Sequence, residues 1–507
     1  MKNLLNNKRI AKNSILLSVR LVITMCISLY TSRVVLNALG VTDYGIYNVV
    51  GGFVAIFTSL TGSFGRAMSR YMTVAIANNN IKEQRQVFSA SFNILLIISV
   101  VIIVFCEIAG RWYFSSIINV PANRYPILNT VFQLYLLSFL AELFKTTGVI
   151  VIVAQEKSNI YALFGIIDAI LKLVVAYLLF FSTYDKLVLY SSLYALVSFV
   201  SFAYTFLYCK INFEGFIYVK DIPIKLYKSI FGFASWSLMG ITSRVLNSQG
   251  LTLIINKYCG VLVNAAIGIV AQVDASMRQF VNNIGIAVNP QIVKSYTIGN
   301  IEYMQMLITF ATKCFTFIVL FYAIPIFIEA ESLLNLWLGR VPEYTVVLLR
   351  LTFICTFFIV MAIPLEVAAQ ASGKIQKFQT DTSVILLATL PLVWLLLKVG
   401  FNVYHVYSML VLVYLLIVMI QFIDTKGITK YSNYGYFANV ISRVVVTALL
   451  SYSLSFGIIS MMPPSFVRIC FSIMLTTLIN TICILTIGFN KDESKLLIGL
   501  IKSFLKR

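Results

Sequence analysis

Histidine is nearly absent from this 507-residue chain; His405 stands alone. A zinc site or histidine-based catalysis needs a cluster of ligands or partners, and none is there to gather around it. The eight cysteines (Cys26, Cys106, Cys209, Cys259, Cys314, Cys355, Cys470 and Cys483) form no CxxC pair, and nearly all lie in apolar runs. That placement reads as small buried side chains rather than disulfides or metal ligands. Charge is scarce as well, at 11% of residues, where a soluble protein carries about 25%. No Gly-rich nucleotide cradle, no alternating-strand pattern and no large extramembrane domain is visible. These absences argue against an enzyme and exclude a β-barrel.

What is present is apolar. Hydrophobic residues make up 60% of the chain, and the mean hydropathy is +0.90. Runs of about 20 apolar residues, long enough to cross a bilayer, recur along the whole length. The expected fold class is an all-α polytopic membrane protein. Fourteen helices are predicted near 13–37, 43–77, 87–109, 126–153, 158–181, 187–209, 228–256, 262–296, 303–328, 343–370, 378–399, 403–423, 435–460 and 466–489. The first apolar run is too long for a signal-peptide core and lacks a small-x-small exit, so no cleavable leader is expected.

The net charge of +20 does not mark a nucleic-acid partner. Lys and Arg beside membrane spans set their orientation. With the N-terminus inside, 21 basic residues fall in inner segments and 7 in outer loops. Both termini are therefore expected in the cytoplasm. The other eleven lie within helices or at their edges, where each costs a few kcal/mol or more at mid-bilayer.

An internal repeat appears on shifting the chain by about 220 residues. "NALGVTDYGIYNVV" (37–50) then lies over "NKYCGVLVNAAIGIV" (256–270), with Gly40 on Gly260. Gly65 falls on Gly285 and Ala67 on Ala287, "NNI" (79–81) on "GNI" (299–301), and "NVP" (119–121) on "RVP" (340–342). "AQEKSNI" (154–160) is similar to "AQASGKI" (369–375). The order of these matches predicts two parallel six-helix halves. The expected domains are an N-lobe (1–208), a cytoplasmic linker (209–228), a C-lobe (229–425), and a last segment (426–507) with two extra helices and a basic tail.

Two such bundles, with Leu39, Gly40, Tyr44, Gly45 and Tyr47 in the turn between helices one and two, resemble the multidrug/oligosaccharidyl-lipid/polysaccharide exporters. Within that superfamily the chain looks most like the Wzx-type flippases of polysaccharide biosynthesis. The resemblance covers nearly all of the chain. It implies a MATE-like V-shaped pair of lobes around a cavity in the bacterial inner membrane. The implied activity is alternating-access transfer of an undecaprenyl-diphosphate-linked oligosaccharide to the outer leaflet. The implied partners are that substrate, membrane lipids and a polysaccharide polymerase with its chain-length machinery. No cofactor is expected beyond an H+ or Na+ gradient. A cation-coupled drug antiporter of the same superfamily is the first alternative, and a membrane polysaccharide polymerase or glycosyltransferase the second.

The charges inside the membrane supply the candidate site. "SFGRAMSRY" (63–71) holds Arg66 and Arg70 one helical turn apart. At about 1.5 Å per residue, both reach the inner edge of the core, at the depth of Arg20 on the first helix. Guanidinium suits phosphate by its planar fork and permanent charge. Arg20, Arg66 and Arg70 are therefore the candidate diphosphate site, with snorkelling to lipid phosphates as the plainer reading. Under the repeat, Gly65 and Ala67 keep small partners while the two arginines meet Ile286 and Pro290. Arg244, Arg278 and Lys145 are candidates for a second, central anion site. Glu142 with Lys145, Asp168 with Lys172 and Asp274 with Arg278 are expected as same-helix pairs. Glu142, Asp168 and Asp274 are candidates for ion coupling. Lys313, Arg350, Glu366 and Asp381 are weaker candidates, and Arg443 is expected to anchor an interface.

Overall fold

The structure is a computed structural model that describes residues 2–155, 157–372, 375–431, 433–463, 465–490 and 493. Within helices it leaves undescribed the side chains of residues 2–19, 58–60, 63, 66, 77, 158, 233–240, 283, 286–287, 290, 297, 433–434 and 437. No strand occurs among the described residues. The helices, in chain order, are α1 (Lys2–Ala55), α2 (Thr58–Ala77), α3 (Ile81–Phe105), α4 (Arg111–Ser116), α5 (Tyr125–Ala154), α6 (Ser158–Leu178) and α7 (Lys186–Asn212). They continue with α8 (Ile224–Thr297), α9 (Ile301–Leu338), α10 (Thr345–Ala371), α11 (Ile375–Val399), α12 (Val403–Thr429), α13 (Asn433–Tyr436), α14 (Ser442–Ile459) and α15 (Phe466–Cys483).

Twelve stretches among the described residues are long and apolar enough to span a membrane. The first and the sixth, Arg20–Ala55 and Ile241–Asn282, are each broken by one glycine, Gly40 and Gly260. Split there, the set matches the fourteen helices expected from the sequence. The two breaks are the same break. Gly40 has φ 77° and ψ 170°; Gly260 has φ 77° and ψ −178°. A side chain is strained in that region, so glycine is required in both halves. Asn79 and Gly299 are likewise both at positive φ, 51° and 75°. The residue after each caps the next helix: Asn80 accepts from the Glu83 amide and Asn300 from the Tyr303 amide. The 220-residue repeat is thus visible in the backbone.

Two details differ from the sequence reading. The second helix is interrupted by a turn at 56–57, where Phe57 packs on Phe105, 5.6 Å between ring centres. The ninth continues to Leu338 instead of ending at 328, through a kink at Glu329. The acid looks like a helix end in a greasy sequence, but Arg468 of α15 neutralises it at 2.5 Å.

By internal packing the chain divides into two compact units: residues 1–268 with 386–400, and residues 269–385 with 401–507. This division assigns the first part of α8 to the first unit, unlike the lobes expected from the repeat. The first unit has a core of Phe53, Phe64, Met68, Ile94 and Phe132. In it, the segments that follow the two glycine breaks touch. A Cβ on Gly45 would lie 2.0 Å from the Val261 carbonyl oxygen. One on Gly268 would lie 2.3 Å from Nδ2 of Asn48, its own repeat partner. Backbones approach this closely only over glycine. The second unit holds the apolar clusters around Leu365 and Phe378 and around Phe317 and Val444.

Candidate functional site

In the first unit, α5, α6 and α7 each carry a polar stripe. On α6 it is Tyr161, Gly165, Asp168 and Lys172, spaced i, i+4, i+7 and i+11. That spacing keeps one face. The opposite face shows exposed Leu163, Ile170 and Val174, as a lipid-facing surface should. On α7 the stripe is Tyr190, Tyr194, Ser201, Tyr204 and Tyr208, opposite exposed Leu196, Phe199, Val200 and Leu207. On α5 it is Tyr135, Glu142 and Lys145, with Leu137 exposed on the far side.

The stripes meet. Lys145 Nζ donates to Asp168 at 2.5 Å and lies 3.4 Å from Glu142. Asp168 also accepts from Ser201 and, at 2.5 Å, from Tyr204. Glu142 is 4.0 Å from Lys172, whose ammonium sits 4.8 Å over the Tyr194 ring. Tyr194 lies against Tyr135 and Tyr190, with centroids 6.3 and 6.1 Å away, and Tyr47 of α1 against the same two at 5.2 and 5.1 Å. The result is a continuous ladder of charges and phenols. A rise of 1.5 Å per residue places Asp168 and Lys145 about 15 Å from the Ser158 end of the bundle. The tyrosines and Lys172 lie about 5–15 Å from the opposite end by the same measure.

This corrects one expected pair. Asp168 does not pair with Lys172 on its own helix; it pairs with Lys145 across to α5. Lysine at i+4 reaches a neighbouring acid only when its rotamer is free, and here the Glu142 carboxylate and the Tyr194 ring hold Lys172 toward α7. Glu142 with Lys145 and Asp274 with Arg278, at 2.6 Å, are found as expected. Asp274 also accepts from Thr356.

Of the three candidate diphosphate arginines, Arg20 is the most defined. Its guanidinium stacks on Tyr161, 4.1 Å from the ring centre, in the space left by Gly165. Its Nε is buried with no hydrogen-bond partner. Arg70 is exposed on α2, opposite the buried face of Phe64, Ala67, Met68 and Met72. The Arg66 side chain lies outside the described residues. Gly65 faces α5 at Thr146, where an added Cβ would lie 3.7 Å from the threonine methyl. Arg244 is exposed and belongs to the first unit, and Arg278 belongs to the second.

Among the weaker candidates, Lys313 is fully buried and paired to Glu493 at 2.8 Å. Glu366 accepts from Gln379, and Arg443 donates to the Ile487 carbonyl. At the far end of the first unit, Arg124 lies 2.5 Å from both Asp43 and Asp185. It ties α1, α5 and α7 together there. No group of acids, histidines and cysteines able to hold a metal occurs among the described residues.

Comparison with family models and with curated proteins finds no match to the sequence. Solved structures do match. The chain is similar to "Lipid II flippase MurJ, inward closed conformation" with a TM-score of 0.68 and 13% identity, over 92% of this chain and 98% of that one. It is similar to the inward-facing conformation of a multidrug resistance MATE family transporter of the MOP superfamily. There the TM-score is 0.68 and the identity 14%, over 82% of this chain and 98% of that one. The outward-facing MATE conformation gives 0.56 at 15% identity, over 83% of this chain and 96% of that one. The fold is that of MurJ and the MATE transporters. It is all-α and multi-pass, as expected from the resemblance, and the structures that share it are a flippase and transporters rather than enzymes.

The sequence reading missed Tyr161, Tyr204, Ser201 and the four clustered tyrosines. The signal was there in α7, where Tyr190, Tyr194, Ser201, Tyr204 and Tyr208 share one face by helical spacing. In a chain with 28 tyrosines that stripe stands out only once the faces of α5 and α6 are known to meet it.

Proposed function

We propose that the protein is a flippase. It moves an undecaprenyl-diphosphate-linked oligosaccharide from the inner to the outer leaflet of the bacterial cytoplasmic membrane, for surface polysaccharide synthesis. The observation that carries this reading is Arg20, a partly exposed guanidinium held in place on Tyr161 and against Gly165. A fixed guanidinium suits an incoming phosphate oxygen. The buried carboxylates argue the same way. Glu142, Asp168 and Asp274 each have a basic partner within 4 Å, so none is a bare acid awaiting an organic cation. Cation antiport is the second reading, supported by a TM-score to a MATE structure equal to that for MurJ.

In this reading both termini are cytoplasmic, and the two repeat-related lobes alternate in access. Arg20, with Arg66 and Arg70, receives the diphosphate at the inner leaflet. Lys145, Arg244 and Arg278 stabilise it in transit. An inward-negative potential favours outward movement of an anion by about 2.3 kcal/mol per charge per 100 mV. Proton or sodium coupling would act through Asp168, Glu142 or Asp274. The test is Arg20→Ala in cells that depend on this protein for surface polysaccharide. The polymer is lost while the protein level is kept, and Arg20→Lys restores part of it. Normal polymer in Arg20→Ala sinks the assignment.

A further inference from the structure

Two of the aromatic clusters in the first unit are of opposite character. Phe53, Tyr113, Phe114 and Phe132 pack ring on ring at 4.9–5.9 Å and are all buried. This is ordinary apolar core, with one hydroxyl among four rings. The second cluster is Tyr47, Tyr135, Tyr190 and Tyr194, and every ring in it carries a hydroxyl. Tyr47, Tyr135 and Tyr194 remain partly exposed. A hydroxyl buried without a partner is costly, so four of them at membrane depth need a polar environment. They do not find it in lipid. The tyrosine face of α7 points away from its lipid-facing leucines and phenylalanines, and toward Lys172 and Glu142.

Three members of the cluster are specific to the first half. Under the 220-residue shift, Tyr47 falls on Ile267, Tyr135 on Cys355 and Tyr190 on Leu410, while Tyr194 falls on Tyr414. The glycine breaks and the caps are repeated; of the four phenols, only one is. A packing requirement of the fold would have kept all four in both halves.

We infer that Tyr47, Tyr135, Tyr190, Tyr194 and Lys172 form a subsite for the glycan of the transported lipid. This rests on the flippase reading and names where the sugar sits. A pyranose has an apolar C–H face and a rim of hydroxyls, and a tyrosine offers the matching pair, an apolar ring and a group that both donates and accepts. The Tyr47 ring already packs on those of Tyr135 and Tyr190, and the Lys172 ammonium already lies over Tyr194. The set is therefore oriented before a sugar arrives, which lowers the ordering cost of binding. The ladder places this subsite beyond the acid–base rungs from Arg20. A diphosphate at Arg20 would have its glycan directed along the polar stripe while the prenyl chain stays in lipid.

The test compares two ligands on the purified full-length protein in lipid nanodiscs. One is undecaprenyl diphosphate; the other is the same lipid bearing a short oligosaccharide. Wild type is expected to bind the glycosylated lipid at least tenfold more tightly. Tyr135→Phe combined with Tyr194→Phe keeps both rings and their packing but removes two hydroxyls. It is expected to lose most of that increment and to bind the bare lipid as wild type does, with an unchanged Tm. Equal wild-type affinity for the two lipids, or a double variant that keeps the increment, overturns the subsite and leaves the flippase reading standing. A wild type that binds neither lipid overturns both.

Discussion

Lys145 of α5 and Asp168 of α6 lie 2.5 Å apart across the helix interface, although each has an oppositely charged residue within one turn of its own helix. The pair joins two stripes that would otherwise be separate polar faces. Ser201 and Tyr204 of α7 complete the shell of Asp168. Three helices are thus registered by one carboxylate.

Removing one partner of a buried pair leaves the other charge uncompensated. Lys145→Ala is expected to cost about 3 kcal/mol, read as a lower Tm in detergent. Lys145→Met with Asp168→Leu should cost clearly less than the single change. A double variant as unstable as the single one would show that Asp168 is held by its hydroxyl partners rather than by Lys145.

Gly45 and Gly268 mark where the two halves of the repeat touch inside the first unit. Gly45→Ala puts a methyl 2.0 Å from a backbone carbonyl, and such overpacking costs about 1–3 kcal/mol. Gly268→Ala should behave alike. Gly62 of α2 is the control, since its Cβ would meet nothing within 4 Å. Gly62→Ala should be neutral or stabilise by about 0.5–1 kcal/mol, as in any helix interior. Equal Tm values for Gly45→Ala and Gly62→Ala would contradict the close approach.

In the second unit, Lys313 is held with no exposed surface against Glu493, and Phe489 packs on Phe310 and Phe317 beside it. Lys313→Ala should lower the Tm in detergent, because it leaves the Glu493 carboxylate buried and uncompensated. Lys313→Met with Glu493→Leu should return the Tm toward the wild-type value. A Tm that stays unchanged in Lys313→Ala would show that the pair contributes nothing beyond the aromatic contacts.

Much of the fold could be read from the sequence because two signals are local. Apolar run length sets the spans, and the coincidence of Gly40 with Gly260 and of Asn80 with Asn300 sets the repeat. Both need only spacing along the chain. The site was less legible. Glu142 with Lys145 is legible because i+3 neighbours on a helix lie side by side. Sequence spacing points Asp168 to Lys172 because it shows only neighbours on one helix, and the lysine that holds it is on another. The tyrosines do not stand out among many others, since what distinguishes Tyr135 and Tyr194 is a facing helix. The depth of Arg20 is legible, but the gap at Gly165 and the ring of Tyr161 that hold it are visible only when α1 and α6 are packed together.

The most direct test is transport in proteoliposomes that hold the purified protein and labelled undecaprenyl-diphosphate oligosaccharide. An impermeant enzyme or reagent reads the fraction of glycan on the accessible face. The flippase reading predicts protein-dependent loss of sidedness within minutes, abolished by Arg20→Ala. Retained sidedness with wild type, together with uptake of an organic cation driven by an ion gradient in the same vesicles, would contradict it.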